Sequence, residues 1–275
     1  RLARDILNSL EKRDSPLLSG LEYRIVEPRE SVRNSLSDLT GLNGRLHPVA
    51  SFAEASSECG IFLCNELLDA FPVRRFVVRD RQWRELNVGK EDEGGLRYVE
   101  SDIDPEDPVI SILPDGDFSE GYETELCPAV KDWVREASRL FQRGKWWIID
   151  YGHESDDYFA ASRNDGTLRC YQNHRATDNP FEAVGQTDIT AHVNFTLLQK
   201  CAEEAGLRAK PLTDQHHFLT HAARPWLLGM EGQPPNAETA KQIRQFQTLT
   251  HPSLMGQQFK VAEFSNSIPN SIEGI

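Results

Sequence analysis

Residues 60–72 read GIFLCNELLDAFP. The first five, Gly60–Cys64, are a continuous apolar run bounded by polar residues, the pattern of a central parallel strand. Polar chemistry follows at once with Asn65 and Glu66, and Asp69 comes three residues later. Upstream, Glu22–Val26 (EYRIV) and Leu46–Val49 read as strands. Leu2, Ile6, Leu7 and Leu10 recur at helical spacing over residues 2–13, and a second helix is expected near Ser31–Leu39. Downstream, Cys127–Arg143 is amphipathic, with Val130, Trp133, Val134, Ala137 and Leu140 on one face and Gly144 as the expected C-cap. Trp146–Ile149 (WWII) then forms another buried strand. This strand–helix–strand alternation predicts an α/β fold with a doubly wound sheet.

The alternation breaks at residues 74–100, where RRFVVRD, QWRELNV and GGLRYVE read as antiparallel strands with Gly94-Gly95 as a turn. Residues 101–126 are loop-like. Residues 154–193 are polar, with a strand-like piece at Thr167–Tyr171. Beyond them come a helix at Phe195–Ala205, capped by Asn194 and stopped by Gly206, and an expected strand at Leu207–Leu212. Helices near His216–Ala223 and Ala237–Leu249 follow, then a late edge strand at Gln258–Glu263. The expected organisation is a core over 1–73, an antiparallel insertion over 74–126 and core elements over 127–153. A polar insertion over 154–193, a C-terminal core over 194–264 and a tail over 265–275 complete it.

The 275 residues carry a formal charge of −13. Nucleic acid and anionic membranes both want clustered Lys and Arg, so neither is an expected partner. A cationic partner such as an arginine-bearing protein segment suits an acidic chain, although such a charge also serves solubility alone. The five cysteines are scattered without C-x-x-C spacing, so neither a disulfide framework nor a zinc site is implied. A reducing compartment follows. No apolar run is long enough to span a bilayer. His216, His217 and His221 lack a third ligand or an H-E-x-x-H pattern, and no metal is expected.

Ligands of open parallel sheets bind outside the carboxyl ends of the strands, and three strands here end in acid. Glu27 follows EYRIV, where an acidic residue can accept both ribose hydroxyls of a nucleotide cofactor. It can equally be a carboxylate favoured by a helix dipole. Glu66 and Asp69 would share a face if NELLDAFP makes one helical turn. They could then hold a cation or act as bases, or merely cap a helix behind Asn65. Asp150 opens Asp150–His153 (DYGH), in which Tyr151 and His153 can touch a ligand and Gly152 permits close backbone approach or positive φ. His192, in TDITAHVN, is either a general base or a loop residue. The residues alone reach a ligand-binding α/β enzyme without naming its reaction.

Together, RLARDIL at the start, IVEP at 25–28, NELLDAFPV at 65–73 and IIDYGH at 148–153 resemble the MidA-like family of S-adenosylmethionine-dependent methyltransferases. GTLRCYQNHR at 166–175, TDITAHVNF at 187–195 and MGQQFKV at 255–261 extend the likeness along nearly the whole chain. The resemblance implies a Rossmann-like seven-stranded methyltransferase sheet with an inserted lobe. Its first strand and glycine loop are expected upstream of Arg1. It implies S-adenosylmethionine as cofactor, with Glu27 on the ribose, Ser51 and Phe52 near the adenine, and Asn65 in the loop facing the methyl group. It further implies a protein substrate with arginine as methyl acceptor. Glu66 is then the first candidate to orient the guanidinium and Asp69 the second, with Tyr151 and His153 lining the acceptor pocket. A small-molecule acceptor, or a non-catalytic assembly protein on the same scaffold, are the competing expectations. The cytoplasm is the expected location and the mitochondrial matrix the alternative. The resemblance leaves the oligomeric state open.

Overall fold

The computed structural model of the chain describes residues 2–37, 44–92, 94–172, 175–177, 179–231 and 236–266. It divides into two compact units. Residues 1–60 with 136–144 form one, and residues 61–135 with 145–275 the other.

The first unit begins with helix α1 (Leu2–Lys12), followed by strand β1 (Tyr23–Val26), helix α2 (Glu30–Ser37), strand β2 (Leu46–Val49) and the single turn α3 (Phe52–Ala55). β1 and β2 pair in parallel, Tyr23 opposite Leu46 and Val26 opposite Val49. The helical stripe of α1 supplies Ala3 and Leu7, which bury against Leu46 with Leu21, Tyr23 and Ile25 around them. Arg24 extends the packing by donating to the carbonyls of Ala55 and Ser56.

Strand β3 (Ser57–Asn65) leads into the second unit. There β4 (Arg74–Arg79), β5 (Gln82–Lys90), β6 (Leu96–Asp102) and β7 (Glu123–Leu126) form an antiparallel sheet in the order β6-β5-β4-β7. The turn expected at Gly94-Gly95 is present, with Gly94 at φ +97°. Phe76, Val109 and Leu126 make this sheet's apolar core. The guanidinium of Arg74 bridges Glu85 and Asp107 beside it.

Helix α4 (Ala129–Ala137) precedes the long strand β8 (Phe141–His153) and the short helix α5 (Ser155–Tyr158). A small sheet follows from β9 (Arg169–Gln172), β10 (Arg175–Thr177) and β11 (Asp188–Thr190), ordered β10-β9-β11. Then come β12 (Val193–Asn194), α6 (Phe195–Glu204), β13 (Leu207–Ala209), β14 (Thr213–Asp214), α7 (Gln215–Gly229), α8 (Ala237–Thr250) and β15 (Phe259–Asn266). The central sheet is mixed, with order β12-β8-β15-β13. β14 pairs with β15, and β3 pairs with β8. Ser57 N–H reaches Leu140 O and Glu66 N–H reaches Ile149 O with the same offset along both chains, so β3 and β8 run parallel. Along β8 burial alternates with the strand period: Trp146, Ile148 and Asp150 all face inward. Val261, Ala262 and Phe264 of β15 and Phe195 and Leu198 of α6 are likewise buried.

Four expectations need correction. The helix after Cys127 stops at Ala137, and Gly144 lies within β8 rather than capping a helix. A Cβ at Gly144 would sit 2.5 Å from the Phe141 ring, so glycine there admits that ring. The strand at 258–263 is interior, since β8 lies on one side of it and β13 and β14 on the other. Within Gly60–Cys64 only Cys64 is buried, while Ile61 is 59% exposed. The helix begun near His216 runs on through Pro225 to Gly229. The tail from 267 onward lies outside the described residues.

Candidate functional site

Glu66 stands where β3 ends, and its backbone is left-handed, at φ +49°. For a residue with a Cβ this conformation costs about 1–2 kcal/mol, so something nonlocal must hold it. No helix follows, although the sequence allowed one: residues 66–71 form a tight turn. The carboxylate of Asp150, from the neighbouring strand β8, explains the turn. Its Oδ2 accepts the backbone N–H groups of Leu67 (3.2 Å), Leu68 (2.9 Å) and Asp69 (3.3 Å). Its Oδ1 accepts the N–H of Tyr151 at 2.9 Å. Successive amides of a strand point to opposite sides, so three that converge on one buried oxygen end β3 at this point.

The Glu66 side chain is exposed and tethered at both oxygens. Asn65 Nδ2 donates to Oε1 at 3.0 Å, and the Tyr151 hydroxyl donates to Oε2 at 2.7 Å. The Tyr151 ring is itself braced by Phe259, centroid to centroid 4.3 Å. Asp69, which the sequence paired with Glu66 on a shared face, is instead buried, and its backbone carbonyl accepts from Ala191 N–H. Its carboxyl pKa is raised, by burial first and by the charge of Glu66 next. Asp150 is pushed up to about 7 by burial and by Asp69, against the opposing pull of the amides that bind it. The Tyr151 hydroxyl is shifted upward, by burial and by its bond to Glu66.

Next to this turn, His153 Nε2 lies 3.1 Å from His192 Nδ1, so one ring donates to the other. Both imidazoles are depressed by burial. His192 falls to about 4, with His153 as the second cause. A group that acidic is a poor general base near neutrality. His192 is also anchored through its backbone, donating to Thr167 Oγ1, while Thr167 donates twice to the fully buried Glu125. The sequence did not pair the two histidines, since they are 39 residues apart.

Glu27 follows β1 in the first unit. Its two carboxylate oxygens receive Arg29 Nε at 2.9 Å and Nη2 at 3.1 Å, and Arg29 N–H also donates to it. This lowers the Glu27 pKa. The Glu27 side chain is 18% exposed, and that of its partner Arg29 is 75% exposed. Ser51 caps α3: its hydroxyl accepts from Glu54 N–H, and the Glu54 carboxylate reaches back past the cap to Ala50 N–H. On α7, His216 contacts the Thr250 carbonyl and His217 contacts Asp214, each at 2.7 Å. Both line an open groove of about 750 Å³ together with His221.

Residues 1–213 match the family described as "Putative S-adenosyl-L-methionine-dependent methyltransferase". Two crystal structures from Burkholderia thailandensis superpose with a TM-score of 0.85 over 98% of this chain. One is a native protein 32% identical over 72% of its own length. The other, bound to S-adenosyl-homocysteine, is 30% identical over 70%. Among curated proteins, the mitochondrial protein arginine methyltransferase NDUFAF7 of Danio rerio is 27% identical over 272 residues, 96% of this chain. Its Drosophila melanogaster homologue is 30% identical over 217 residues, 73% of this chain. The chain spans 60% of the Danio protein's length and 46% of the Drosophila protein's. The mixed sheet is therefore a methyltransferase-like α/β fold, and the chain belongs to the MidA-like family of S-adenosylmethionine-dependent methyltransferases.

Proposed function

We propose that the protein transfers a methyl group from S-adenosylmethionine to arginine side chains of a protein substrate, with Glu66 orienting the guanidinium. The observation that carries this reading is the Glu66 carboxylate itself. It is exposed at the carboxyl end of β3, and Asn65 and Tyr151 fix its orientation from two directions. A planar carboxylate so held matches the forked donors of a guanidinium. The arginine-methyltransferase names of the curated relatives support the same acceptor. Their mitochondrial names support the matrix over the cytoplasm as location. Among the described residues, no helix is long and apolar enough to cross a membrane.

The donor set suits the cofactor. Its ribose diol needs an acceptor for two hydroxyls, and Glu27 offers two coplanar oxygens at the carboxyl end of β1. Their present partner, Arg29, is largely in solvent and free to turn outward. Ser51 and Phe52, after β2, remain the proposed adenine contacts. When bound, S-adenosylmethionine would supply a methyl group on a positively charged sulfur, for which positioning is the main task left to the protein. Glu66 would accept two guanidinium N–H groups and raise electron density on the nitrogen that reacts. Asp69, buried behind it with a carboxyl pKa raised by burial and by the charge of Glu66, would stay the second candidate to face the guanidinium. Tyr151 and His153 would border the acceptor.

The seven-stranded form of the sheet also belongs to this proposal. Among the described residues β3 pairs only with β8, which leaves an edge for one further parallel strand. Such a strand would carry the glycine loop.

Glu66→Gln in the complete protein tests the reading. Affinity for S-adenosylmethionine by calorimetry should stay within about threefold. Methyl transfer to arginine-containing protein should fall by about 100-fold or more, the size of losing a charged group that acts in the transition state. Transfer at the wild-type rate would remove Glu66 from the reaction.

A further inference from the structure

We infer that Asp150 is a positioning residue for this site: its buried carboxylate fastens the backbone of residues 67–69 and thereby holds Glu66 in the left-handed turn that aims its side chain. This inference rests on the acceptor role proposed for Glu66. It concerns a residue that touches neither the proposed acceptor nor the cofactor.

The geometry is specific. Asp150 is fully buried at an inward position of β8, where the strand period places Trp146 and Ile148 before it. A carboxylate in such a place must be satisfied by donors. It has four, all of them backbone N–H groups: those of Leu67, Leu68 and Asp69 at one oxygen and that of Tyr151 at the other. Three of the four belong to the turn that starts at Glu66. Glu66 opens that turn at positive φ, one of five non-glycine residues that do so among those described. The fourth amide belongs to Tyr151, whose hydroxyl reaches round to Glu66 Oε2. One carboxylate therefore fixes both the backbone that carries Glu66 and the backbone that carries its tether. The register supports the assignment: Glu66 N–H pairs with Ile149 O, which sets the turn directly beside Asp150.

Several titratable groups face Asp150. Asp69 acts on it from the turn, and Cys64 of β3 and the Tyr151 hydroxyl both feel its charge. Lys260 is its register partner on β15. The amides pull the Asp150 pKa down against burial and Asp69. A local opening of the turn that leaves the carboxyl buried therefore costs more when Asp150 is ionised than when it is neutral. Protection at residues 67–69 should rise with pH through about 7, whereas global stability, set by the net upward shift, falls over the same rise.

The test uses the complete protein and two readouts. Amide hydrogen exchange is followed at Leu67, Leu68 and Asp69, and methyl transfer is followed in parallel. Asp150→Asn should speed exchange at those three amides by about tenfold or more, and leave the amides of Val261 and Ala262 within about twofold. In the transfer assay Asp150→Asn, Glu66→Gln and the double variant form a cycle. The double variant should be no slower than Glu66→Gln alone, because Asp150 acts only through Glu66. Unchanged exchange at residues 67–69, or losses that multiply, would overturn the inference. If Glu66→Gln transfers methyl normally while exchange at the turn still responds to Asp150, the acceptor reading fails and the anchoring of the turn stands. Should Asp150→Asn not fold, the wild-type protein decides. Protection at the three amides, corrected for intrinsic rate, must rise between pH 6 and pH 8, and a flat profile refutes the anchor.

Discussion

Gly152 offers the sharpest test of how the DYGH segment is built. Its φ is not among the positive ones, so glycine is not there for backbone freedom. It is there for space. A Cβ on Gly152 would lie 2.1 Å from the Val193 carbonyl oxygen and 2.9 Å from the Phe195 ring. Carbon–oxygen contacts settle near about 3.3 Å, so in Gly152→Ala the β12 backbone must retreat by roughly 1 Å. It cannot do so freely. Val193 is only 6% exposed and Phe195 is fully buried. Asn194, one residue on, caps α6 by accepting from Leu197 N–H. The parallel pairing of Val193 with Gly152 would break, and overpacking against Phe195 would add to the cost. A lost backbone bond at about 1 kcal/mol plus overpacking at about 1–3 kcal/mol gives a destabilisation of about 2–4 kcal/mol. Urea unfolding followed by tryptophan fluorescence reads this directly, because Trp146 and Trp147 lie on the same strand. Gly229→Ala is the control. It adds a Cβ with no atom within 4 Å near the end of α7, and should be neutral or stabilising by up to about 1 kcal/mol. A Gly152→Ala protein within about 0.5 kcal/mol of wild type would refute the close-packing explanation.

Gly166→Ala should be at least as damaging. It combines a left-handed φ of +71° with a Cβ 2.3 Å from the buried Glu125 Oε1, and strain plus weakened Glu125–Thr167 bonds sums to about 3–5 kcal/mol in the same unfolding assay. His192 predicts an acid-side loss of stability. Its pKa falls from 6.5 in the unfolded chain to about 4 when folded, so the unfolded state takes the proton first. Stability should drop as pH falls from about 6.5 to about 4, by up to about 1.4 kcal/mol per pH unit, and His192→Gln should flatten that slope. Tyr151→Phe removes one of the two tethers on Glu66. It should slow methyl transfer by about tenfold while changing stability by less than about 1 kcal/mol, since the bond is exposed.

The parts of the fold legible in the sequence are those whose cause is local. The α1 stripe, the Gly94-Gly95 turn, the Asn194 cap and the Gly206 stop all follow from neighbours within a few residues, and all are present. The errors share the opposite property. Gly144 looked like a helix cap because its role in admitting the Phe141 ring is a packing fact. Residues 258–263 looked like an edge strand because a short, half-polar run gives no hint of strands on both sides. NELLDAFP looked like a helical turn because the carboxylate that remakes it lies more than 80 residues away. One signal was available and unused: in WWIID, the alternation that buries Trp146 and Ile148 also carries Asp150 inward.

Three strand-end acids looked alike in the sequence, and burial separates them. Glu66 keeps its carboxylate exposed and Glu27 keeps its carboxylate half-buried, one with two side-chain tethers and the other with an exposed arginine as partner. Such groups can exchange their present partners for a ligand at small cost, because water and the ligand both compete on equal terms. Asp150 cannot. It is fully buried, and its four donors are backbone amides that no ligand can replace without refolding the turn. The strand end thus divides its labour by depth. The inner carboxylate spends its charge on shaping the chain, and in the proposed reaction the outer one is left oriented and unburied for a substrate. If this division is right, charge-conserving changes should be tolerated differently at the two positions. Glu66→Asp should retain part of its transfer activity, because a shorter exposed acid can still meet a guanidinium through side-chain motion. Asp150→Glu should not, because an extra methylene has no room in the core and moves the very amides that set the turn.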